Sequence, residues 1–218
     1  SGLLPFAFDA GFGFESYVDY ALDIPMYFIK RGADYIDATS VTFREYMNGK
    51  RPTGAEKADV TQGDWKNHLS TVFPDVRLKS FLEMRGADGN PWRRICALPA
   101  FWVGLLYDED TLAETEDYLA DWTNEERQTM RDTVPKLALN MPFRKGKLLD
   151  VAKRVVMLSH QGLIRRNQLN GAGFDESQYL TPVDETVVSG KTPAELMLGK
   201  YHGEWGGDID RVFEDFAY

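Results

Sequence analysis

The segment Arg77–Arg85 (RLKSFLEMR) constrains the fold more than any other part of the chain. It alternates strictly, and Gly86-Ala87-Asp88-Gly89-Asn90-Pro91, then Trp92-Arg93-Arg94, follow it directly. Successive side chains of an extended strand point to opposite faces. Leu78, Ser80, Leu82 and Met84 then share one face, while Arg77, Lys79, Phe81, Glu83 and Arg85 share the other. The pattern predicts a half-buried strand with a charged inner face. The glycines, Asp88, Asn90 and Pro91 predict a turn, and the apolar run Ala97–Tyr107 predicts a buried helix.

Glu83 and Arg85 stand two residues apart, so their side chains share a face at roughly 7 Å spacing. A carboxylate there can take a hard cation such as Mg²⁺, which prefers oxygen ligands. The neighbouring guanidinium can fork onto a phosphate, and together the two suit a transferring phosphoryl group. The same spacing also serves an ordinary ion pair on an exposed strand. Trp92, Arg93 and Arg94 suit substrate carboxylates or, equally, pairing with acids of the chain. His68, His160 and His202 are far apart and lack metal-ligand spacing, so each reads as structural or solvated. Cys96, the single cysteine, opens onto an apolar run and reads as a buried, inert thiol. The chain has no P-loop, no dinucleotide-binding glycine fingerprint, no HExxH and no Gly-x-Ser-x-Gly.

Around this segment the signals are mostly helical. Phe14–Asp23 places Phe14, Tyr17, Val18 and Ala21 on one side of a helix that Pro25 ends. Met26–Lys30 and Tyr35–Thr39 flank Arg31-Gly32-Ala33-Asp34 as a hairpin. Thr42 with Glu45 is a capping box for a helix over Phe43–Met47 that stops near Gly49. Asp64–Thr71 predicts another helix, and Thr111–Ala120 an acidic one. Thr123 with Glu126 starts a helix to about Arg131, and Lys147–Arg166 carries the longest helical stripe. Thr181-Pro182 and Thr192-Pro193 each read as a capping residue followed by proline at the first helical position. Asn167–Thr181 reads as a flexible loop.

The 218 residues suffice for one domain or a piece of a larger one. Net charge is −9, which disfavours nucleic acid and anionic membranes as partners. No apolar run is long enough to span a bilayer, no signal peptide is visible, and one cysteine makes no intrachain disulfide. A soluble, reducing setting is expected. The opening Ser1-Gly2-Leu3-Leu4-Pro5-Phe6 is immediately apolar, which suggests an internal start.

Arg77–Asp110 closely resembles glutamate–cysteine ligases of the plant and proteobacterial type. So do Tyr17–Phe28 (YVDYALDIPMYF), Asp64-Trp65 with Asn67-His68-Leu69, and Gly203-Glu204-Trp205-Gly206, all in the family's order. The resemblance implies an α+β, glutamine synthetase-like carboxylate–amine ligase fold: an antiparallel sheet curled into an open funnel with helices outside. Residues 1–110 would form its sheet and active-site part and 111–218 a mainly helical part. It implies that ATP and Mg²⁺ activate the γ-carboxylate of L-glutamate, and that the amine of L-cysteine attacks the acyl phosphate. By resemblance Glu83 would be a metal ligand and Arg85 would contact the phosphoryl group or substrate. Tyr20, Trp92, Arg93 and Arg94 would lie near the amino-acid pocket.

Family members are about twice this length, so the resemblance makes the chain the C-terminal half. The missing N-terminal half would be its partner, and a homodimer is compatible. By the resemblance, the plant enzymes' regulatory cysteine pair falls on Ala38 and about Thr53, and Cys96 matches another plant cysteine whose partner would lie outside this chain. That pattern implies a bacterial, cytoplasmic enzyme without plant-type redox control. A sister ligase using another amine, and a non-catalytic binding module, are the competing readings.

Overall fold

The structure, a computed structural model, describes residues 2–216. The chain divides into two compact units, Ser1–Ala87 and Asp88–Tyr218. Both mix helices with small antiparallel sheets, an α+β chain. Each sheet among the described residues is a two-stranded hairpin.

In the first unit, α1 (Phe14–Asp23) buries Tyr17 and Ala21. It ends at Ile24, which is extended, as a residue before proline must be. Strands β1 (Phe28–Arg31) and β2 (Asp34–Asp37) pair in register Phe28↔Asp37 to Arg31↔Asp34. Their two-residue turn begins with Gly32 at φ 60°, the left-handed conformation such hairpins require. Helix α2 (Phe43–Met47) starts from the Thr42–Glu45 capping box. Helix α3 (Gln62–Thr71) starts two residues before the expected Asp64, because Thr61 and Asp64 form a reciprocal box of their own. Met26, Ile29, Ala38, Val41, Phe43, Tyr46 and Ala55 form the core between these elements. His68 is buried there, stacked on Phe43 at 5.1 Å, with Nε2 2.7 Å from the Ala21 carbonyl oxygen. Its structural role is the one the sequence suggested.

The predicted single strand Arg77–Arg85 is corrected to a hairpin, β3 (Val76–Leu78) and β4 (Leu82–Met84), with Arg77 opposite Glu83 and Leu78 opposite Leu82. The chain reverses through Lys79-Ser80-Phe81, where the Lys79 N–H donates to the Phe81 carbonyl at 2.9 Å. Period-2 alternation continues on both arms of a hairpin, so periodicity cannot locate the reversal. The facial division survives: Arg77 and Glu83 share one face, Val76, Leu78, Leu82 and Met84 the other. Residues 86–91, expected to turn, carry no regular turn.

The second unit contains α4 (Trp92–Ile95), α5 (Ala97–Leu106), α6 (Glu109–Leu119), α7 (Asn124–Leu137), the short hairpin β5 (Pro142–Phe143) with β6 (Gly146–Lys147), α8 (Leu148–Arg166), α9 (Thr181–Ser189), α10 (Pro193–His202) and α11 (Arg211–Asp215). Helices α5 and α8 cross closely because both offer glycine. A Cβ on Gly162 would stand 1.8 Å from the Gly104 carbonyl oxygen, and one on Gly104 2.3 Å from that of Ser159. Ala100, Leu163 and Leu180 form the adjoining buried cluster.

Four expectations change here. Helix α7 runs past Arg131 to Leu137 and accommodates Pro135 in its last turn. Thr181 is the first residue of α9 and not its cap, because a 3₁₀ turn, Glu176–Leu180, leads straight in. That turn also replaces a third of the expected Asn167–Thr181 loop, and its Leu180 is fully buried. Cys96 is exposed, not buried.

Candidate active site

The β3–β4 hairpin brings three ionised side chains together on its charged face. Glu83 Oε2 forms an ion pair with Arg77 Nη2 at 2.7 Å and accepts a hydrogen bond from Arg85 Nη1 at 3.3 Å. Both guanidinium groups lie over the ring of Phe73, at 5.2 Å for Arg77 and 4.6 Å for Arg85, a cation–π arrangement that limits where each can swing. Arg77 is 8% exposed and donates from Nη1 to the Ser70 carbonyl at 3.1 Å. Burial pushes the Glu83 carboxyl pKa up. The Arg85 hydrogen bond and the charges of Arg77, Lys79 and Arg85 outweigh that and hold it below the usual carboxylate range. Glu83 is therefore ionised throughout the neutral range.

Glu83 and Arg85 are thus paired, as their spacing suggested. Arg77 is the member the sequence reading passed over. Its signal was present, since it shares the parity of Glu83 and Arg85, but its burial and its cross-strand pairing with Glu83 come from the reversal of the chain.

Tyr20 is half-buried in an aromatic layer with Phe6, at 5.4 Å, and Tyr17, at 6.1 Å. Burial, then the neighbouring Tyr17, raise its hydroxyl pKa. The tyrosine that reaches the hairpin is Tyr17. Burial raises its pKa, while a hydrogen bond with the Leu78 backbone and the charge of Arg77 act against that rise.

Trp92, Arg93 and Arg94 belong to the second unit. Trp92 is 76% exposed. Arg93 makes a bidentate pair with Glu185 of α9, with Nη1 2.8 Å from Oε2 and a second, closer contact from Nη2 to Oε1. This pairing lowers the Glu185 pKa. Arg94 donates from Nη1 to the Pro182 carbonyl at 2.9 Å and to Thr186 Oγ1 at 3.2 Å. It borders a cavity of about 290 Å³ that is otherwise mostly apolar, with Ala97, Phe101, Val155 and Val187 among its walls.

Magnesium draws its ligands from one or two carboxylates, phosphate oxygens and water. Among the described residues no group of three or more His, Cys, Asp or Glu side chains could hold a metal ion. Glu83 therefore fits one ligand position of such a site and does not make a complete one. No helix among the described residues is long and apolar enough to cross a membrane.

Comparison with known proteins extends this picture along the whole chain. It is 55% identical to the chloroplastic glutamate–cysteine ligase of Solanum lycopersicum over all 218 residues, 40% of that protein's length. It is 54% identical to the chloroplastic enzyme of Arabidopsis thaliana, again covering 40%, and 53% identical to chloroplastic glutamate–cysteine ligase A of Oryza sativa subsp. indica, covering 43%. The chain thus spans about two fifths of the length of the curated relatives it matches. Their chloroplastic setting overturns the expectation of a cytoplasmic location. Composition could not have carried that information, because organelle targeting resides in leader segments outside the folded catalytic part. The model of glutamate-cysteine ligase family 2 matches residues 1–215, and with identities above one half over the whole chain, the chain belongs to that family.

Proposed function

We propose that this chain is the C-terminal part of the catalytic domain of a plastid glutamate–cysteine ligase. The observation that carries the reading is 55% identity over all 218 residues, a span that includes Glu83 and Arg85. In the proposed reaction the γ-carboxylate oxygen of L-glutamate attacks the γ-phosphorus of ATP, and ADP leaves. The amine of L-cysteine then attacks the γ-carbonyl carbon of the acyl phosphate and loses a proton, and phosphate departs. The product, γ-glutamylcysteine, is the precursor of glutathione.

The residues of this chain would serve that chemistry by charge and position. Glu83, held ionised, offers a carboxylate oxygen to Mg²⁺. The metal, when bound, supplies positive charge to the phosphate oxygens. Arg85 is the more exposed of the two arginines, so it is the one free to turn a donor towards the phosphoryl group. Arg77, buried and anchored on Ser70, acts as a positioning residue that keeps Glu83 in place. Arg94 has Nη1 committed to α9 and keeps its other donors for a carboxylate. Arg93 would have to exchange Glu185 for a substrate. Tyr20 would border the amino-acid pocket. The β3–β4 hairpin would be part of a larger curled sheet, a funnel completed by polypeptide that the relatives have beyond this span.

In the complete enzyme, Glu83→Gln and Arg85→Ala are each expected to lower kcat by at least about 100-fold while leaving the protein folded. Near-normal turnover in both variants would remove these roles. Replacing cysteine with other amines in the same ADP-release assay separates this ligase from a sister enzyme of different amine preference.

A further inference from the structure

Arg77 and Arg85 share more than Glu83. Their guanidinium carbons lie 5.2 and 4.6 Å from the centroid of a single ring, that of Phe73. Two guanidinium groups on one carboxylate leave a positive charge in excess, and Lys79 adds to the same field. Like charges gathered so closely repel. The contacts of Glu83 are also uneven, 2.7 Å to Arg77 and 3.3 Å to Arg85. The negative face of an aromatic ring offsets such an excess without adding a charge.

The backbone fixes where that ring stands. Val72 and Pro74, on either side of Phe73, are buried, and the Phe73 carbonyl accepts from the Gly2 N–H at 3.3 Å. The Gly2 carbonyl accepts from the Asp75 N–H at 2.9 Å, and the Asp75 carbonyl from the Arg85 N–H at 2.9 Å. These bonds tie the segment of the ring to the strand end that bears Arg85. The two arginines depend on the ring differently. Arg77 Nε is buried and has no hydrogen-bond partner among the described residues, so the ring is what compensates that part of the group. Arg85 is partly exposed and gives Nη1 to Glu83. A ring face holds a cation through its quadrupole and needs none of its N–H donors. A second carboxylate in that place would have to be displaced before phosphate could bind.

We propose that Phe73 is a positioning residue for the ligase reaction, holding Arg85 in place while its donors turn to the phosphoryl group. This rests on the reading that Glu83 and Arg85 serve phosphoryl transfer. A Glu83 that shares its lone pairs with Mg²⁺ holds Arg85 less firmly, at the stage when the guanidinium must stay fixed. Phe73 is neutral, so its hold on Arg85 does not compete with the metal.

The test replaces Phe73 by 3,4,5-trifluorophenylalanine, which keeps the shape of the ring and nearly cancels the charge of its face. A ring that only fills space tolerates that exchange. In the 218-residue chain, ¹⁵N relaxation of Arg85 Nε reads how well the side chain is held, and its order parameter is expected to fall below about 0.6. In the complete enzyme kcat is expected to fall about ten-fold, with the KM values for glutamate and cysteine unchanged. Phe73→Tyr, which keeps an electron-rich face, is expected to retain both the order and the turnover. The same trifluoro replacement at exposed Phe81, whose ring lies under Lys79 at 4.9 Å, is expected to change neither. Unaltered order of Arg85 in the Phe73 variant overturns the proposal, and so does lowered order with unaltered kcat. A complete parent enzyme that releases no ADP with glutamate, cysteine and Mg·ATP removes the ligase reading and this role with it. An active parent that is indifferent to the Phe73 exchange removes this role alone.

Discussion

Adding one methyl group to Gly162 tests the helical unit at its tightest point. In Gly162→Ala the new Cβ would lie 1.8 Å from the Gly104 carbonyl oxygen, where real Cβ atoms essentially never come within 3.0 Å. The axes of α5 and α8 must therefore separate locally by about 1.2 Å, the difference between those two distances. The obstructing atom is helix backbone, so no side-chain rotation relieves it. A radial gap of even 0.5–1 Å forfeits about a quarter to a half of each facing dispersion contact, and the Ser159 hydroxyl would lose its 2.9 Å bond to the Phe101 carbonyl. Overpacking costs about 1–3 kcal/mol and more where backbone must move, while alanine's better helix propensity returns up to about 1 kcal/mol. The net expectation is a loss of roughly 2–4 kcal/mol, or a midpoint lowered by roughly 5–15 °C. Gly199→Ala is the control. Gly199 lies in α10 with nothing within 4 Å of its would-be Cβ, so the same substitution should stabilise by about 0.5–1 kcal/mol. Thermal unfolding followed by near-ultraviolet circular dichroism, to which Trp102 beside the crossing contributes, reads both. If Gly162→Ala is as stable as the parent, the close crossing of α5 and α8 is refuted.

Three further perturbations probe the electrostatics. The Arg144 hydrogen bond, helped by the Thr123 backbone, lowers the Glu126 pKa from 4.5 to about 2. A depressed carboxyl contributes stability that is present above pH 4.5 and lost as the pH falls towards 2, so Glu126→Gln should flatten the acid limb of a stability–pH curve in that window; an unchanged limb would contradict the pairing. Burial lowers the His68 pKa from 6.5, partly offset by the Ala21 carbonyl. The folded state then favours neutral His68, so its contribution is intact above 6.5 and falls as the pH drops below it. His68→Gln should reduce that loss, as urea titrations at pH 7 and pH 5.5 would measure. Asp64 is buried, caps α3 and takes a bidentate pair from Arg31 at 2.6 and 3.0 Å. Because Arg31 remains a third exposed, Asp64→Asn is expected to cost roughly 2–3 kcal/mol in urea unfolding, and a change under 0.5 kcal/mol would deny the pair a structural role.

Local chemistry made much of this protein legible from sequence. Helix α1, helix α2 and the Thr42, Thr123 and Thr192 boxes stand as read, because a cap is settled by residues three apart. The β1–β2 turn is equally local, for Gly32 supplies the positive φ. Family membership followed from ordered sequence blocks and held over residues 1–215. Glu83 beside Arg85 was legible too, since a two-residue spacing means the same thing on any strand.

What the sequence left undecided are facts of long-range packing. The alternation in Arg77–Arg85 is compatible with one strand or two, and only the folded chain, with Arg77 opposite Glu83, selects the hairpin and gives the cluster its third charge. Arg93 and Arg94 carried two readings, and their contacts with Glu185, Pro182 and Thr186 of α9, some 90 residues away, are visible only in the folded chain. Gly104 and Gly162 look like weak points of helices until α5 and α8 are laid across each other. In each case the deciding energy comes from atoms that meet only in three dimensions: a charge finds its counter-charge, or one backbone lies against another. Local propensity contains neither.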